Sequence, residues 1–164
     1  MKNLLFLLLL SCAFVTCKKE AKNCPDHYTG SNCDEQITPT NILLKRVFVT
    51  THPPTDNGAG WDLTSGPDMY ISILRNGTEI YNNSSNFLQN ASGSNIVFDV
   101  NLPLPSVTDF YSIRLYDYDD FDADDYMGGV QGVLYSSTNG FQTLVPFDCA
   151  GCQVGFDVQI AYTF

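Results

Sequence analysis

The feature that most restricts the fold of this chain is a succession of short strand-like segments with no helical stretch between them. After residue 38, β-branched and aromatic residues concentrate in eight segments, often with alternating apolar and polar positions, and Asn-Gly pairs at 76–77 and 139–140 mark turns. We expect an all-β domain, an eight-stranded antiparallel β-sandwich, whose connecting loops gather at its two ends. The predicted strands cover residues 42–50, 69–74, 78–83, 95–102, 110–118, 130–135, 141–147 and 153–164.

The charge balance of the chain narrows its possible partners. Asp and Glu number 18 against 8 Lys and Arg, which gives a formal net charge of -10. Nucleic acid is excluded as a partner, because binding it relies on cationic side chains that replace the counterions of the phosphates. An apolar content of 44% is ordinary for a folded domain and excludes a disordered chain.

The N-terminal stretch, MKNLLFLLLLSCAFVTCKKE, is a targeting segment rather than part of the fold. Lys2 precedes an apolar run from Leu4 to Val15 that is too short to span a bilayer, so we expect export. The FVTC box followed by Lys-Lys-Glu resembles the signal peptides of Bacteroidetes-type surface lipoproteins. That resemblance implies acylation of Cys17 and anchoring to the bacterial outer membrane at the cell surface. An ordinary secretory signal is the alternative.

Four cysteines remain beyond the signal as two close pairs, and an even number of cysteines in an exported chain favours disulfides. The CPDHYTGSNC segment, from Cys24 to Cys33, resembles the last loop of an epidermal-growth-factor (EGF) module. We interpret it as a spacer closed by a disulfide, with a binding element as the alternative.

For Cys149 and Cys152, in CAGC, a local structural disulfide is favoured over a thioredoxin-like redox site or a zinc site, since the flanks are strands and no second ligand pair exists. The expected parts of the chain are a signal peptide (1–16), a lipid anchor with the EGF-like spacer (17–38) and the sandwich domain (39–164).

Two predicted loops concentrate aspartates directly beside strands. Asp62 and Asp68 lie before the strand that begins near residue 69, and six aspartates occupy the nine positions from 117 to 125. Two carboxylates about 5 Å apart repel by roughly 3 kcal/mol at an effective dielectric constant near 20, so such a cluster needs either cations or a splayed, solvated loop. Loops distant in sequence meet at the ends of a sandwich, so we expect these two acidic loops to lie together.

The spacing of these aspartates resembles that of the C2 domain, the calcium-binding β-sandwich of protein kinase C and the synaptotagmins. In that family two loops carry the calcium ligands, and both match here, with Met69 and Tyr70 in place of a Pro-Tyr pair and Asp122 at an auxiliary position. The six aspartates at matching positions are Asp62, Asp68, Asp117, Asp119, Asp122 and Asp125. The resemblance implies Ca²⁺ as the cofactor, these aspartates as its ligands, and the circularly permuted (type II), phospholipase-like strand order.

Calcium also suits these residues on chemical grounds. Ca²⁺ takes six to eight oxygen ligands in irregular geometry, which loop carboxylates and carbonyls supply, whereas Mg²⁺ demands a tighter octahedron. An EF-hand does not fit the second loop, because Asp122 stands where its glycine belongs and Gly128 where its bidentate glutamate belongs. A solvated acidic loop without metal is the remaining alternative.

A calcium site of this kind suggests two functions. In the C2 family, apolar residues at the loop tips contact membranes, and Leu63 and Phe121 occupy those positions. The first hypothesis is therefore calcium-dependent binding of a phospholipid, glycan or protein at the cell surface. The alternative is purely structural calcium in a surface lipoprotein that serves as a scaffold or envelope-complex subunit. The scarcity of cations in the sandwich weighs against anionic membranes; the cations present are Lys45, Arg46, Arg75 and Arg114.

We do not expect catalysis. The two histidines, His27 and His52, have no nucleophile motif beside them, so a catalytic triad is unsupported. A pair of carboxylates cleaves glycosidic bonds only if one of them stays protonated, and a neighbouring Ca²⁺ favours the ionised form.

Overall fold

The strands of the computed structural model follow the predicted segments closely. The structure describes residues 23–62, 65–91, 93, 96–121 and 123–164. These residues contain ten strands and one short 3₁₀ helix, Ser84–Asn86. The strands are β1 Tyr28–Thr29, β2 Glu35–Gln36, β3 Asn41–Thr51, β4 Met69–Arg75, β5 Thr78–Asn82, β6 Ile96–Leu104, β7 Tyr111–Asp117, β8 Asp125–Gly132, β9 Leu144–Phe147 and β10 Gly155–Thr163. In this described part of the chain, no helix has the length and apolar character needed to cross a membrane.

Strands β3 to β10 form two antiparallel sheets that share one hydrophobic core. Each sheet has four strands, in the orders β6-β3-β10-β9 and β5-β4-β7-β8. The predicted eight-stranded antiparallel β-sandwich is therefore confirmed. Within the sandwich, β3 precedes the first acidic loop, and the last strand, β10, pairs with β3 in the middle of its sheet. This is the strand order expected for the permuted topology.

Strand β7 shows how the alternating pattern produces the core. Tyr111, Ile113 and Leu115 are fully buried, while the residues between them are partly exposed, so one face of the strand enters the core. Burying a large apolar side chain of this kind stabilises the fold by about 1.5–3 kcal/mol. Asp117 occupies the next inward position and is also 0% exposed. The row of buried side chains on β7 therefore ends in a carboxylate.

The two ends of the sandwich carry different loops. Strand β3 has 11 residues, which at about 3.3 Å per residue gives a length of roughly 36 Å, and it connects the two ends. Segments 52–62, 65–68, 118–121, 123–124 and 148–154 lie at the end where β3 finishes, and we call this end the acidic pole. The Asn-Gly turn at 76–77, segment 133–143, the start of β3 and the end of β10 lie at the opposite pole.

The segment before the sandwich packs against the opposite pole. Cys24 and Cys33 are joined, with Cα atoms 5.1 Å apart, and β1 pairs with β2 beside them. The His27 ring stacks on Phe164 with ring centroids 3.6 Å apart, and the Phe141 ring contacts His27 edge-on. The described part of the predicted spacer therefore packs against the sandwich.

Cys149 and Cys152 close a tight turn at the acidic pole. Their Cα atoms are 5.3 Å apart, and the Cys152 N–H donates to the Cys149 carbonyl at 3.1 Å. The turn joins β9 to β10, which are neighbours in one sheet. Both predicted cysteine pairs are thus at disulfide distance, and the CAGC pair is the local link that the sequence predicts.

One strand begins earlier than the sequence predicts. The expected strand covers residues 130–135, whereas β8 begins at Asp125, the last aspartate of the second acidic loop. Two consecutive glycines, Gly128 and Gly129, obscure the strand in the sequence, because glycine is depleted in strands. Gly128 has a φ of 144°, and a Cβ at this position would lie 2.9 Å from the Val154 side chain. The glycine permits a close approach between β8 and the segment before β10.

Candidate metal centre

The two acidic loops meet at the acidic pole through Asp68 and Asp117. Asp68 directly precedes β4, Asp117 ends β7, and these strands are neighbours in one sheet. The Asp68 N–H donates to Asp117 Oδ1 at 2.6 Å, and the Tyr118 N–H donates to the Asp68 carbonyl at 2.8 Å. The expectation that the two loops lie together is correct.

Asp117 is a buried carboxylate with one unpaired oxygen. Its Oδ2 atom is buried and has no hydrogen-bond partner among the described residues. The pKa of Asp117 is raised from 3.8 to about 6 because the group is buried and because Asp62, Asp119 and Asp68 add negative charge; the hydrogen bond from the Asp68 N–H opposes the shift. An ionised Asp117 in these surroundings is stabilised by a bound cation.

Local hydrogen bonds hold the two first-loop aspartates. Asp68 Oδ1 accepts from the Asn90 N–H at 2.7 Å, which links it to the segment after the 3₁₀ helix. Asp62 Oδ2 accepts from the Ser65 hydroxyl at 3.0 Å. Both residues are half-buried, and the charge of each raises the pKa of the buried carboxylate on β7. The first loop therefore brings two predicted ligands close to that carboxylate.

The second loop places its predicted residues in three different environments. Asp119 is half-buried, and its charge also acts on Asp117. Asp125 is exposed and lies directly opposite Asp117 in the pairing of β7 with β8. Phe121 is 101% exposed, so its ring stands entirely in solvent. The loop thus has aspartates where it joins the strands and an apolar residue at its tip.

The donor chemistry of this pole fits a hard cation. All candidate ligands are oxygen atoms, which Ca²⁺ prefers, and one of them is the buried, unpaired Asp117 Oδ2. Within the described residues, no three His, Cys, Asp or Glu side chains lie close enough together to form a complete ligand group. Carboxylates that share no cation repel one another, which keeps them apart. Three predicted site residues, Leu63, Asp122 and Cys17, lie outside the described residues.

Positive side chains do not neutralise the acidic pole in the part of the chain that the structure describes. Segments 52–62, 65–68, 118–121 and 123–124 contain no lysine or arginine. Arg75 pairs with Asp109 near the opposite pole, and Arg46 pairs with Asp99 at 2.7 Å along β3. The negative charge of the acidic loops is therefore available to an external cation.

Asp124 received no role in the sequence analysis, yet both of its carboxylate oxygens accept hydrogen bonds. Oδ2 accepts from the Tyr70 hydroxyl at 2.7 Å, and Oδ1 accepts from the Asp119 N–H at 3.2 Å. Tyr70 is 5% exposed, and its ring stacks on Tyr116 with centroids 5.1 Å apart. Burial, and then the hydrogen bond to Asp124, raise the pKa of Tyr70. No local spacing marks this pair, because its members are 54 residues apart.

Solved structures with the same fold identify the architecture. No protein family model and no curated protein matches the chain in sequence. The chain is similar to human GIVD cytosolic phospholipase A2, with a TM-score of 0.53 and 16% identity over 75% of this chain and 16% of that one. It is also similar to a solved C2 domain, with a TM-score of 0.50 and 15% identity over 76% of this chain and 98% of the other. The chain spans a small part of the phospholipase and nearly all of the C2 domain, and the sandwich has the C2 fold.

Proposed function

We propose that this chain is an exported, lipid-anchored, calcium-binding C2-like domain whose acidic loops mediate calcium-dependent binding at the cell surface. The observation that carries the proposal is the Oδ2 atom of Asp117, which accepts no hydrogen bond from the residues that the structure describes and is buried where the charges of both acidic loops act on it. A buried acceptor without a partner costs about 1–3 kcal/mol, and more when it is charged. Bound Ca²⁺ removes that cost and the repulsion between the surrounding carboxylates.

The proposed ligand set joins the two loops around one buried carboxylate. Ca²⁺ requires six to eight oxygen atoms, and bidentate carboxylates, backbone carbonyls and water complete a set of this kind. The charge effects of the first loop and of Asp119 on Asp117 support a shared site. The proposed ligands are Asp62, Asp68, Asp117, Asp119, Asp122 and Asp125.

A phospholipid surface is the ligand that we test first, because Phe121 is a fully exposed aromatic ring in the second acidic loop. Transfer of such a ring out of water contributes about 1.5–3 kcal/mol. Leu63 is the proposed second contact. The net charge of -10 repels anionic lipids, and calcium bound between the carboxylates and the lipid headgroups reverses that repulsion locally.

The test is co-sedimentation with vesicles of phosphatidylcholine and phosphatidylserine in Ca²⁺, in Mg²⁺ and in EDTA. We expect binding in Ca²⁺ alone, and loss of binding in Phe121→Ala with calcium affinity retained. Phe110→Ala is the matched control, since Phe110 is 58% exposed and lies near the opposite pole. A parent protein that binds no calcium by calorimetry refutes the proposal. A parent that binds calcium without vesicles redirects the search to surface glycans and proteins.

The anchor is a separate part of the proposal. The FVTC box and the following lysines support acylation of Cys17, with segment 17–38 as the anchor and spacer. Expression in a bacterial host, followed by mass spectrometry of the N-terminal peptide, tests it directly. An acylated peptide in the parent and a released, unmodified protein in Cys17→Ser are the expected results. An unmodified Cys17 in the parent contradicts lipid anchoring.

A second candidate function is structural calcium in a surface scaffold or envelope-complex subunit. The observation that favours it is the position of Asp117, which joins β7 to the backbone before β4. An ion at this point fixes both loops whether or not they contact a ligand. Calcium-dependent stability, together with equal surface binding by the parent and Phe121→Ala, distinguishes this candidate from the first.

A further inference from the structure

Asp124 differs from its neighbouring aspartates in the way its carboxylate is used. Both of its oxygens already accept hydrogen bonds from the protein, one from the Tyr70 hydroxyl and one from the Asp119 N–H. Asp117, in contrast, has one oxygen to which no described residue donates a hydrogen bond. Within one acidic loop, one carboxylate is thus committed to the protein while another has an oxygen free for a cation.

Tyr70 provides a rigid attachment point for the Asp124 carboxylate. The residue lies in β4, immediately after the first acidic loop, and its ring is buried and stacked on Tyr116 of the neighbouring strand. A stacked ring in a strand holds its hydroxyl at a fixed position above the sheet. The hydrogen bond from that hydroxyl therefore fixes Asp124, and Asp124 in turn holds the backbone N–H of Asp119.

We propose that Asp124 is a positioning residue. Its two hydrogen bonds connect strand β4 to the second acidic loop and so fix the position of Asp119 for cation binding. This inference rests on the proposed calcium site and assigns roles within it. Hydrogen bonds from Tyr70 to Asp124 and from the Asp119 N–H to Asp124 hold the loop backbone at Asp119. Binding a cation then requires less ordering of the loop, and preorganisation of this kind strengthens affinity.

Tyr70→Phe is the most selective test, because it removes only the hydroxyl and leaves the stacked ring. We expect calcium affinity, measured by calorimetry, to fall on the order of 3- to 10-fold. This is the effect expected when part of the free energy of one hydrogen bond is coupled to calcium binding. Tyr116→Phe is the matched control, since that ring belongs to the same stack and its hydroxyl makes no hydrogen bond among the described residues. It should bind calcium as the parent does.

Asp124→Asn and the double variant test whether the two residues act as one unit. If they do, the double variant is no weaker than the weaker single variant. Asp124→Asn that loses calcium binding more than a hundredfold, beside an unchanged Tyr70→Phe, overturns the inference and makes Asp124 a direct ligand. Unchanged affinity in both single variants also overturns it.

Amide hydrogen exchange of Asp119 in EDTA gives a readout that needs no calcium. We expect a protected amide in the parent and faster exchange in both Tyr70→Phe and Asp124→Ala, since alanine leaves no acceptor for the Asp119 N–H. Equal exchange in all three proteins refutes the positioning role. A parent that binds no calcium refutes the proposed function instead, and the exchange rates still decide whether Asp124 holds the loop.

Discussion

Replacement of Asp117 by asparagine should have opposite effects on stability with and without calcium. Burial and the surrounding carboxylates raise the pKa of Asp117 from 3.8 to about 6, so ionisation of this group opposes folding when no cation is bound. Asparagine removes the charge, retains an oxygen for the Asp68 N–H and adds an amide that donates to nearby carboxylates. We therefore expect Asp117→Asn to stabilise the calcium-free domain and to lose the stabilisation that calcium provides.

The size and sign of the effect follow from the two pKa values. A group with a raised pKa in the folded state stabilises the fold while it is protonated, and this contribution is lost between about pH 4 and about pH 6. Roughly two pKa units at 1.36 kcal/mol each give an upper value of about 3 kcal/mol at pH 7. At roughly 2–4 °C per kcal/mol, the calcium-free variant should melt up to about 6–12 °C above the parent.

Urea unfolding in EDTA between pH 4 and pH 7.5, repeated in Ca²⁺, measures this difference. The two proteins should have similar stability near pH 4, and the gap should widen to about pH 6 and then remain constant. In Ca²⁺ at about a thousandfold its dissociation constant the order should reverse, because only the parent gains binding energy, about 4 kcal/mol at that concentration. A variant that is less stable than the parent in EDTA at pH 7 would falsify the assignment of Asp117 as a buried carboxylate whose charge opposes folding until a cation binds.

Three further measurements test other parts of the molecule. Calcium at a hundredfold its dissociation constant should stabilise the parent by about 2.7 kcal/mol, seen as a rise in Tm that Mg²⁺ does not produce; equal curves in both ions contradict a calcium-selective site. Phe141→Ala removes a ring that contacts His27, so amide exchange in segment 28–37 should accelerate, and unchanged exchange would show that this contact does not hold the spacer. Arg75→Gln breaks a partly exposed ion pair with Asp109 and should leave the midpoint of urea unfolding nearly unchanged; a clear drop in that midpoint would assign Arg75 a role beyond the pair.

The sandwich was predictable because its strands bury one face and expose the other. In β7 the inward positions, including Tyr111 and Leu115, alternate with partly exposed residues, and that period is visible in the sequence. The start of β8 was not predictable in this way. Gly128 permits close packing against Val154, and Gly129 permits close packing against Tyr126 and the Ile113 carbonyl; these contacts depend on the folded partners and not on local preference.

The same distinction applies to the candidate site. The predicted sandwich, whose loops meet at its ends, placed Asp68 and Asp117 together, and the Asp68 N–H donates a hydrogen bond to Asp117. The hydrogen bond between Tyr70 and Asp124 joins a side chain of β4 to one in the second acidic loop without a fixed spacing, so no pattern in one sequence indicates it. Docking of the disulfide loop likewise depends on His27 meeting Phe164, which lies at the other end of the chain.

The placement of the docked disulfide loop and the acidic loops at opposite poles also determines how the domain carries mechanical load. When a ligand is held by the first acidic loop, which follows β3, a pull from the N-terminal side enters near Asn41 and leaves near Thr51, along the whole length of β3. Strand β3 is bonded on both sides, to β10 and to β6. Such a force loads those hydrogen bonds together in shear, and does not open them one by one, so the sheet resists extension in the direction in which an anchored protein would be pulled.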